Sequence, residues 1–446
     1  MHDSKVRSRL KAQLTKFCSE LSSGLSKPLG KFVAQMLYGI QSSQDVKLSN
    51  IGRALGEAIP LIRTEKRLSR NLKHGELEAE LTTKLVEMAS ARIHEDTVLA
   101  LDLSDIRKEY AQKMEHLATV WDGSTGQTHP GYWLLDVTGA EVNGSEIVPV
   151  CQKLFSAEAK EFRSENAEIL AMVDQANRRL AGRGIWTMDR GCDRKKLLEP
   201  LLDKHLRFVI RSTGERAVRD RRGRTRSVAE VALGCRLRHQ ARVVRIDKGQ
   251  EKSYALRYGA APIRLLGRDE QLWLVVIAGF GEQPILLVTN LKLRARDSES
   301  VWWAARIYGT RWKIEETFRF VKQSYNLEDI RGMKYRRLKN LVVLVTAAAY
   351  FAATYLGQQM KLRIPAEKLL VISPRFFGIP PFRSYALADG MRRLLSGSAF
   401  QPPQESSPDP QLELALIGPR GGFWGKVLVN RKRFIHVPIS GAESLP

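Results

Sequence analysis

Four polar residues of different chemistry lie close together in one segment: Tyr308, Arg311, Glu315 and Lys322. The apolar residues around them recur at helical spacing and predict one long helix from about residue 298 to 323. At roughly 100° per residue the four side chains share a stripe about 60° wide, beside the face that should be buried. That face is predicted to contain Trp303, Ile307, Ile314, Phe318 and Val321. A carboxylate among a phenol, a guanidinium and an amine suits a metal-assisted phosphodiester site. The alternative is a surface helix with chance ion pairs, which the shared stripe disfavours.

Two further acids follow predicted strands. Asp102 comes directly after the apolar run 97–101, and Asp189 comes after the run 184–188. Side chains at strand ends project into a crevice at the edge of a mixed sheet, so we expect both acids to meet Glu315 there. Carboxylates from two strands and one helix can hold two Mg²⁺ ions about 4 Å apart and activate a water or a 3′-hydroxyl for attack on phosphorus. Strand-end aspartates are also common in turns. Three neighbouring acids are therefore alternatives: Asp105, Asp193 and Glu316.

The periodicity of the chain predicts the elements that would position these residues. Three short apolar runs, 96–105, 131–139 and 146–155, are typical of consecutive antiparallel strands. A helical pattern from 157 to about 180 follows, and then the order β-α-β up to residue 212. Antiparallel strands followed by βαβ crossovers predict an α/β fold with a mixed sheet and helices on both faces.

The remaining domain boundaries follow from changes in pattern after residue 212. A β-rich insertion with basic loops is predicted over 213–283, and the core, begun over 93–212, is expected to resume over 284–395 with C-terminal helices. The apolar run 341–356 is short for a membrane span and is interpreted as a buried core helix. Residues 396–446, rich in Pro and Ser at their start, are predicted to be a flexible linker and tail.

Residues 1–92 are predicted to be all helical because their apolar residues recur at helical spacing. One segment places cations at three- and four-residue steps, so that one helical face is basic: Arg63, Lys66, Arg67, Arg70 and Lys73. A helix-turn-helix with its second helix against DNA has this pattern. A solvated basic helix is an equal alternative on this segment alone.

The overall charge favours a polyanionic partner. The chain carries 72 Lys and Arg against 48 Asp and Glu, a formal net charge of +24. Such an excess is typical of contact with nucleic-acid phosphates, although a ribosomal or membrane-surface protein would also show it.

The four cysteines form no CxxC pair, so a structural zinc or a disulfide framework is not expected. The charged N-terminus lacks the apolar core of a signal peptide, which favours the cytoplasm and no membrane.

The combined motifs resemble the insertion-sequence-four family of transposases. Its hallmark is Tyr-x2-Arg-x3-Glu-x6-Lys, and the segment 308–322 matches that spacing without a gap. The resemblance includes Asp102 followed two residues later by Ser104, and the triplet Asp189-Arg190-Gly191. It extends from about residue 97 to 356, with a weaker match in the helical N-terminal region.

The resemblance implies a ribonuclease-H-like core interrupted by a β-rich insertion and preceded by a helical DNA-binding domain. It implies a catalytic triad of Asp102, Asp189 and Glu315 that binds two Mg²⁺ ions, with Mn²⁺ as a possible substitute. The remaining signature residues would contact DNA phosphates: Tyr308, Arg311 and Lys322. The implied activity is cleavage of double-stranded DNA at the terminal inverted repeats of an insertion sequence, followed by strand transfer into target DNA. A homodimer pairing the two ends is expected, in the bacterial cytoplasm and associated with the nucleoid.

One departure and two rival functions remain open in the sequence. Some relatives carry a Trp before the strand that precedes the signature helix, where this chain reads Gln283-Pro284-Ile285, and this puts a flipped-base, hairpin-forming route in doubt. Another ribonuclease-H-like nuclease, such as a resolvase, would not require the Tyr-Arg-Glu-Lys row. A catalytically silent DNA-binding protein derived from a transposase would not need all three acids, which are present here.

Overall fold

The N-terminal segment is helical throughout its described elements. The computed structural model describes residues 3–356 apart from 124, 145, 248 and 249, together with 384–396 and 400. The first helices are α1 (Asp3–Leu21), α2 (Lys27–Ser43), α3 (Leu48–Leu55), α4 (Leu61–Asn71) and α5 (Leu77–Ser90). They agree with the predicted helical pattern, while a separate domain ending at residue 92 stays a prediction. The linker and tail predicted over 396–446 lie outside the described residues apart from 396 and 400.

A single mixed sheet forms the centre of the molecule. Its first strands are β1 (Val98–Arg107), β2 (Ala118–Asp122), β3 (Gln127–Ala140), β4 (Ile147–Phe155), β5 (Ile185–Met188) and β6 (Phe208–Arg211). Strands β1, β3 and β4 pair antiparallel, whereas β1, β5 and β6 run parallel. All of β5 and the first residues of β1 are buried, as expected for strands covered by helices on both faces. The predicted α/β class with a mixed sheet is confirmed, and the strand order is consistent with a ribonuclease-H-like core.

The predicted insertion is β-rich and extends this same sheet. Its elements are β7 (Ala217–Arg219), β8 (Thr225–Ser227), α8 (Val228–Leu233), β9 (His239–Asp247), β10 (Gln250–Leu265) and β11 (Leu272–Ala278). The core resumes with β12 (Ile285–Thr289), which pairs antiparallel with both β6 and β11. The path through the sheet is therefore β2-β3-β1-β5-β6-β12-β11-β10-β7-β8, with β4 on β3 and β9 on β10.

Two details of the first part of the core differ from the predictions. The helix expected from residue 157 begins only at Glu165, as α6 (Glu165–Leu180), because Ser164 caps it by accepting a hydrogen bond from the Ala167 amide. Strand β2 was not predicted. Its alternating burial gives it only three inward side chains, too short a signal beside the glycine-rich turn that follows. The helix α7 (Lys195–Asp203) then lies between β5 and β6, as predicted.

The single long helix predicted over residues 298–323 is wrong, because the chain forms two helices there. These are α9 (Ser298–Thr310) and α10 (Lys313–Ser324). Between them Ile314 and Glu315 donate their amides to the carbonyls three residues earlier, which tightens the helix to 3-10 geometry. The Thr310 hydroxyl donates to the Arg306 carbonyl and Gly309 precedes it, and both features weaken a regular helix at this point.

The apolar run 341–356 is a buried core helix, as predicted. It belongs to α11 (Tyr335–Tyr350), which continues through a π-helical turn, Phe351–Tyr355. Among the described residues this helix alone is long and apolar enough to cross a membrane, and 89% of its apolar 18-residue stretch is buried within the fold. The N-terminal helices pack on it, since the Gln41 side chain donates to the Ala348 carbonyl. The last helix among the described residues, α12 (Ser384–Leu395), packs against α2.

Candidate active site

The two strand-borne acids lie at the same edge of the sheet. Strands β1 and β5 are parallel neighbours, and their pairing ends with Ala100 opposite Thr187. Asp102 and Asp189 both lie two residues beyond this pair, where the two strands separate. Strand β1 does not end at Asp102, as the sequence suggested, but continues along β3 to Arg107. The crevice therefore opens at the end of β5, beside the middle of β1.

The junction between α9 and α10 brings the signature residues to these acids. Arg311 donates from Nη1 to Oδ2 of Asp102 at 2.7 Å, and from Nη2 to Oε1 of Glu315 at 3.1 Å. The Tyr308 hydroxyl donates to Oδ1 of Asp189 at 3.1 Å, and the Arg311 guanidinium lies 5.7 Å from the Tyr308 ring centre. One guanidinium therefore bridges two of the predicted acids, while a phenol next to it holds the third.

Burial and mutual repulsion govern the electrostatics of this cluster. Burial raises the pKa of Asp102, and the charges of Asp189 and Glu315 raise it further, although Arg311 acts in the opposite direction. Burial also raises the pKa of the Tyr308 phenol, and the Asp189 carboxylate adds to this shift. Burial opposes the charge of Arg311, but Asp102 and the other acids outweigh it and hold its pKa above the ordinary value. The three carboxylates thus depend on a cation within the crevice.

Lys322 does not join this cluster. Its ammonium group lies 3.5 Å from Asp105 and 3.1 Å from Glu328, in two ion pairs farther along α10. Lys322 and Glu315 share a face of α10, but they are seven residues apart, so Lys322 lies about 10 Å farther along the helix axis. The structure therefore brings together Tyr308, Arg311 and Glu315 but places the fourth signature residue elsewhere.

The three alternative acids each have a partner outside the crevice. Asp105 pairs with Lys322, as above, and Glu316 lies 2.5 Å from the guanidinium of Arg319. Asp193 accepts from Arg216 at 2.5 Å and is almost fully buried there. The Asp105 and Asp193 contacts tie α10 and the start of the insertion to the core, whereas the Glu316 pair lies within α10 itself.

A buried acid that sequence reasoning missed lies directly opposite Asp102. Asp136 is the register partner of Asp102 in the β1–β3 pair and is fully buried. Its Oδ2 accepts from the Thr138 hydroxyl at 2.9 Å, whereas its Oδ1 has no hydrogen-bond partner in the described part of the chain. Burial raises the pKa of Asp136 to about 7. Thr138 in turn contacts Thr317 of α10 at 3.2 Å, so this network connects β3 to the helix of Glu315. The available signal was an acid in the middle of an apolar run.

A second missed residue is Arg211, at the end of β6. Met188 pairs with Ile210, so Arg211 lies one strand away from Asp189 at the same edge of the sheet. It is half-buried, and its charge acts on the Tyr308 hydroxyl by lowering the pKa against the larger effects of burial and Asp189. It forms no ion pair with any described residue, unlike Arg311. A basic residue at the end of the predicted strand was the signal for it.

The donor set of the crevice fits a divalent cation in chemistry. Three carboxylates supply the hard oxygen ligands that such ions prefer, and Arg311 compensates only one of their three negative charges. As they stand, no group of three His, Cys, Asp or Glu side chains in the described chain is arranged to hold a metal ion. The guanidinium between Asp102 and Glu315 explains this, since it holds the two carboxylates around itself.

The predicted basic face lies on α4, which packs against α3. Arg63, Lys66 and Arg70 are exposed and form no ion pair within the described residues, and Lys73 is exposed just beyond the end of the helix. Arg67 differs, because it donates to both carboxylate oxygens of Glu57 at 2.7 and 2.8 Å. Arg67 therefore has a partner inside the helical segment, while the other cations have none there.

Comparison with known proteins gives one family. Residues 93–351 match the family model described as "Transposase DDE domain". No curated protein matches the chain. Among solved structures, the chain is similar to that entitled "Cryo-EM structure of piggyBac transposase synaptic complex with hairpin DNA (SNHP)". The identity is 10% and the TM-score 0.42, over 87% of this chain and 78% of the other. A similarity this distant supports no argument about the site.

Proposed function

The chain belongs to the DDE transposase family and is a DDE transposase, a polynucleotidyl transferase that acts on DNA, and from this premise we propose its reaction and site. It cleaves double-stranded DNA at the terminal inverted repeats of a bacterial insertion sequence and transfers the freed 3′ end into target DNA. The carrying observation is the cluster in which Arg311 bridges Asp102 and Glu315 beside Asp189. These three acids, from two strands and a helix, are the proposed catalytic triad.

DDE transposases use divalent metal ions. We propose that Asp102, Asp189 and Glu315 hold two Mg²⁺ ions, with Mn²⁺ as a substitute. Such ions would supply Lewis-acid stabilisation of phosphate oxygens and a more acidic water or 3′-hydroxyl. Asp102 is half-buried, so bulk water screens its charge less and its attraction for a nearby cation is stronger. Tyr308 orients Asp189 by donating to one carboxylate oxygen, which leaves the other oxygen for a cation.

Arg311 changes partner in this proposal. Without cations its guanidinium compensates Asp102 and Glu315. Once cations take over that role, the guanidinium is available to donate to a phosphate of the transferred strand, for which its planar fork is suited. Tyr308 and Arg211 flank the same edge and would add contacts to the strand. Lys322 would reach a phosphate farther along, beside Asp105.

The basic face of α4 is the proposed contact with the element ends. Helices α3 and α4 are joined by a short turn and pack closely, as the two helices of a helix-turn-helix do. Arg63, Lys66 and Arg70 are exposed cations without described partners, which suits phosphate contacts. Arg67 is proposed to contact DNA only if it leaves Glu57.

The finer classification rests on motifs and chemistry together. The Tyr-Arg-Glu-Lys signature supports membership of the insertion-sequence-four family. Two protomers would pair the two ends of the element as a homodimer, in the bacterial cytoplasm and bound to the nucleoid. An excess of 24 positive charges supports residence on DNA.

The test is cleavage of a duplex that carries the inverted repeat bordering the gene, with Mg²⁺, Mn²⁺ or EDTA. Asp102→Asn, Asp189→Asn and Glu315→Gln should each lower the cleavage rate at least about 100-fold while binding of the duplex is kept. Glu316→Gln is the matched control, because Glu316 lies next to Glu315 but pairs with Arg319. It should retain activity. Cleavage by all three triad variants at the parental rate would reject the triad.

A further inference from the structure

Exposed apolar residues lie at the start of α4, where it meets the turn after α3. Ile59 in the turn is 42% exposed and Ile62 in the first turn of α4 is 55% exposed. Ala58 and Pro60 between and beside them are exposed as well. Isoleucine is among the residues most often buried, and no described element covers this tip. The tip is therefore a surface that a partner can cover.

The tip and the basic face form one surface. At roughly 100° per residue, the positions of Ile62, Lys66, Arg70 and Arg63 lie within an arc of about 100° on α4. The opposite face is occupied, since Thr64 and Leu68 are buried against the protein. The exposed surface of α4 therefore has an apolar patch at its N-terminal end and cations along the following two turns.

The tip is held in place by its own segment. Leu61 lies so close to Gly52 of α3 that a side chain at Gly52 would displace it, and Thr64 is in van der Waals contact with the same position. Glu57 in the turn accepts from Thr64 at 2.8 Å and from Arg67 at 2.7 and 2.8 Å. The turn and the first half of α4 are therefore fixed together, so the exposed isoleucines have a defined direction.

The major groove of duplex DNA offers both features that this surface needs. Its rim carries phosphates, and its floor presents the 5-methyl group of thymine, the apolar group by which that base is distinguished. In helix-turn-helix proteins the first residues of the second helix reach the base edges. We propose that Ile59 and Ile62 read thymine methyl groups at the element ends, while Arg63, Lys66 and Arg70 hold the flanking phosphates. This inference rests on the proposed function, since it assumes that α4 enters the groove of the end DNA.

An anionic lipid surface is the other partner that combines apolar and negative groups. An interfacial helix needs a continuous apolar face along its length. On α4 the apolar residues are confined to the tip, and the remaining exposed positions are polar or charged. The observations therefore favour the groove.

The experiment replaces thymine by deoxyuridine, which removes only the 5-methyl groups. Fluorescence anisotropy would measure the full chain binding the inverted-repeat duplex that borders the gene, the same duplex with deoxyuridine at every thymine, and a scrambled duplex. The parent should bind the deoxyuridine duplex about fourfold more weakly for every methyl group that the two isoleucines bury. Ile62→Ala should reduce the preference for the thymine duplex, and the double change Ile59→Ala with Ile62→Ala should bind both forms equally. Both isoleucines are exposed, so circular dichroism should show an unchanged fold.

Two control variants separate this readout from general effects. Leu233→Ala removes an apolar side chain that is 90% exposed on α8 of the insertion, and it should keep the parental ratio. Lys66→Ala should weaken binding to both duplexes by the same factor, because phosphates carry no base information.

The outcomes distinguish the inference from its premise. A parent that prefers the end duplex over the scrambled one but binds the thymine and deoxyuridine forms equally would overturn the methyl readout alone. A parent without preference for the end duplex would overturn end recognition as well. Binding to phosphatidylcholine–phosphatidylglycerol vesicles that Ile62→Ala abolishes would assign the tip to a membrane and overturn the inference.

Discussion

The crevice at the sheet edge and the outer face of α4 are both rich in charge, but they are built in opposite ways. In the crevice, Arg311 donates to Asp102, which is 209 positions away in the sequence, and to Glu315 on the next helix, so acids and base neutralise one another. On α4, Arg63, Lys66 and Arg70 come from two turns of one helix and have no described partner. The charges of the crevice therefore have partners within the protein, whereas the exposed cations of α4 have none among the described residues.

This difference indicates how each surface meets its ligand. Cations that enter the crevice must replace Arg311, so binding there is an exchange of partners inside the fold. Phosphates that reach α4 displace only water and salt ions, so binding there is an addition. Changes in the crevice should therefore affect stability and activity together, whereas changes of the exposed cations Arg63, Lys66 and Arg70 on α4 should affect binding alone.

The largest expected effect is that of Arg311→Ala. It removes the cation from three carboxylates and should lower the free energy of unfolding in EDTA by about 3 kcal/mol, at the lower end for a buried pair, because Asp102 keeps 27% of its side chain exposed. Millimolar Mg²⁺ should restore more stability to this variant than to the parent, since ions then supply the missing charge. Thermal unfolding with and without Mg²⁺ measures both effects.

The matched control for Arg311 is Arg319→Ala on α10. Arg319 also pairs with a glutamate, but its side chain is 52% exposed, so the destabilisation should stay within about 0.5 kcal/mol. Equal destabilisation by the two changes would remove the distinction between a neutralised crevice and an ordinary surface pair. If Mg²⁺ stabilises the Arg311→Ala variant no more than the parent, the crevice is likewise not distinguished from an ordinary surface pair.

How far the sequence alone could predict this arrangement depends on the residue. Asp102 and Asp189 follow apolar runs, and Glu315 belongs to a spaced signature, so their convergence was predictable from strand ends and motif. The bridging role of Arg311 was not, because an ideal helix through the segment hides the 3-10 junction that turns its side chain towards Asp102. The ion pair between Lys322 and Asp105 was not predictable either, because it depends on how α10 packs against β1.

Features that depend on the packing of distant elements were also beyond the sequence. Asp136 looks like an irregularity in an apolar run until the β1–β3 register places it opposite Asp102. The basic face of α4 was predictable because periodicity within one helix defines it. That Arg67 belongs to Glu57 was not, because the turn that carries Glu57 had to be placed first.

A smaller effect is expected at Asp136, which lacks the cation that Asp102 and Glu315 share. Its pKa of about 7 lies above that of an unfolded aspartate, so the native state binds more protons between about pH 4 and pH 7. Stability should be fully present at low pH and fall as pH rises through this window, by roughly 2 kcal/mol between pH 5 and pH 7. Asp136→Asn should remove this fall. Urea unfolding at a series of pH values measures the slope, and a variant with the parental slope would assign the titration to another group.

The smallest effects compare neighbours on α4. Arg67→Ala breaks the pair in which Nη2 of Arg67 donates to both carboxylate oxygens of Glu57, and it should lower the free energy of unfolding by about 1 kcal/mol. Lys66→Ala should change the free energy of unfolding by no more than about 0.5 kcal/mol. For DNA binding the order should reverse, so that Lys66→Ala has the larger effect. Lys66→Ala should reduce the slope of log affinity against log salt by about 0.9, the value for one phosphate contact.

Arg67→Ala should leave that salt slope nearly unchanged, because Glu57 already occupies the guanidinium. Titrations of both variants and the parent with the same duplex at several salt concentrations measure the slopes directly. If Arg67→Ala lowers the slope as much as Lys66→Ala does, then Arg67 leaves Glu57 to reach a phosphate, as the basic periodicity of the sequence predicted. The two surfaces would then share one principle, since α4 would also exchange an internal carboxylate for a phosphate when DNA binds.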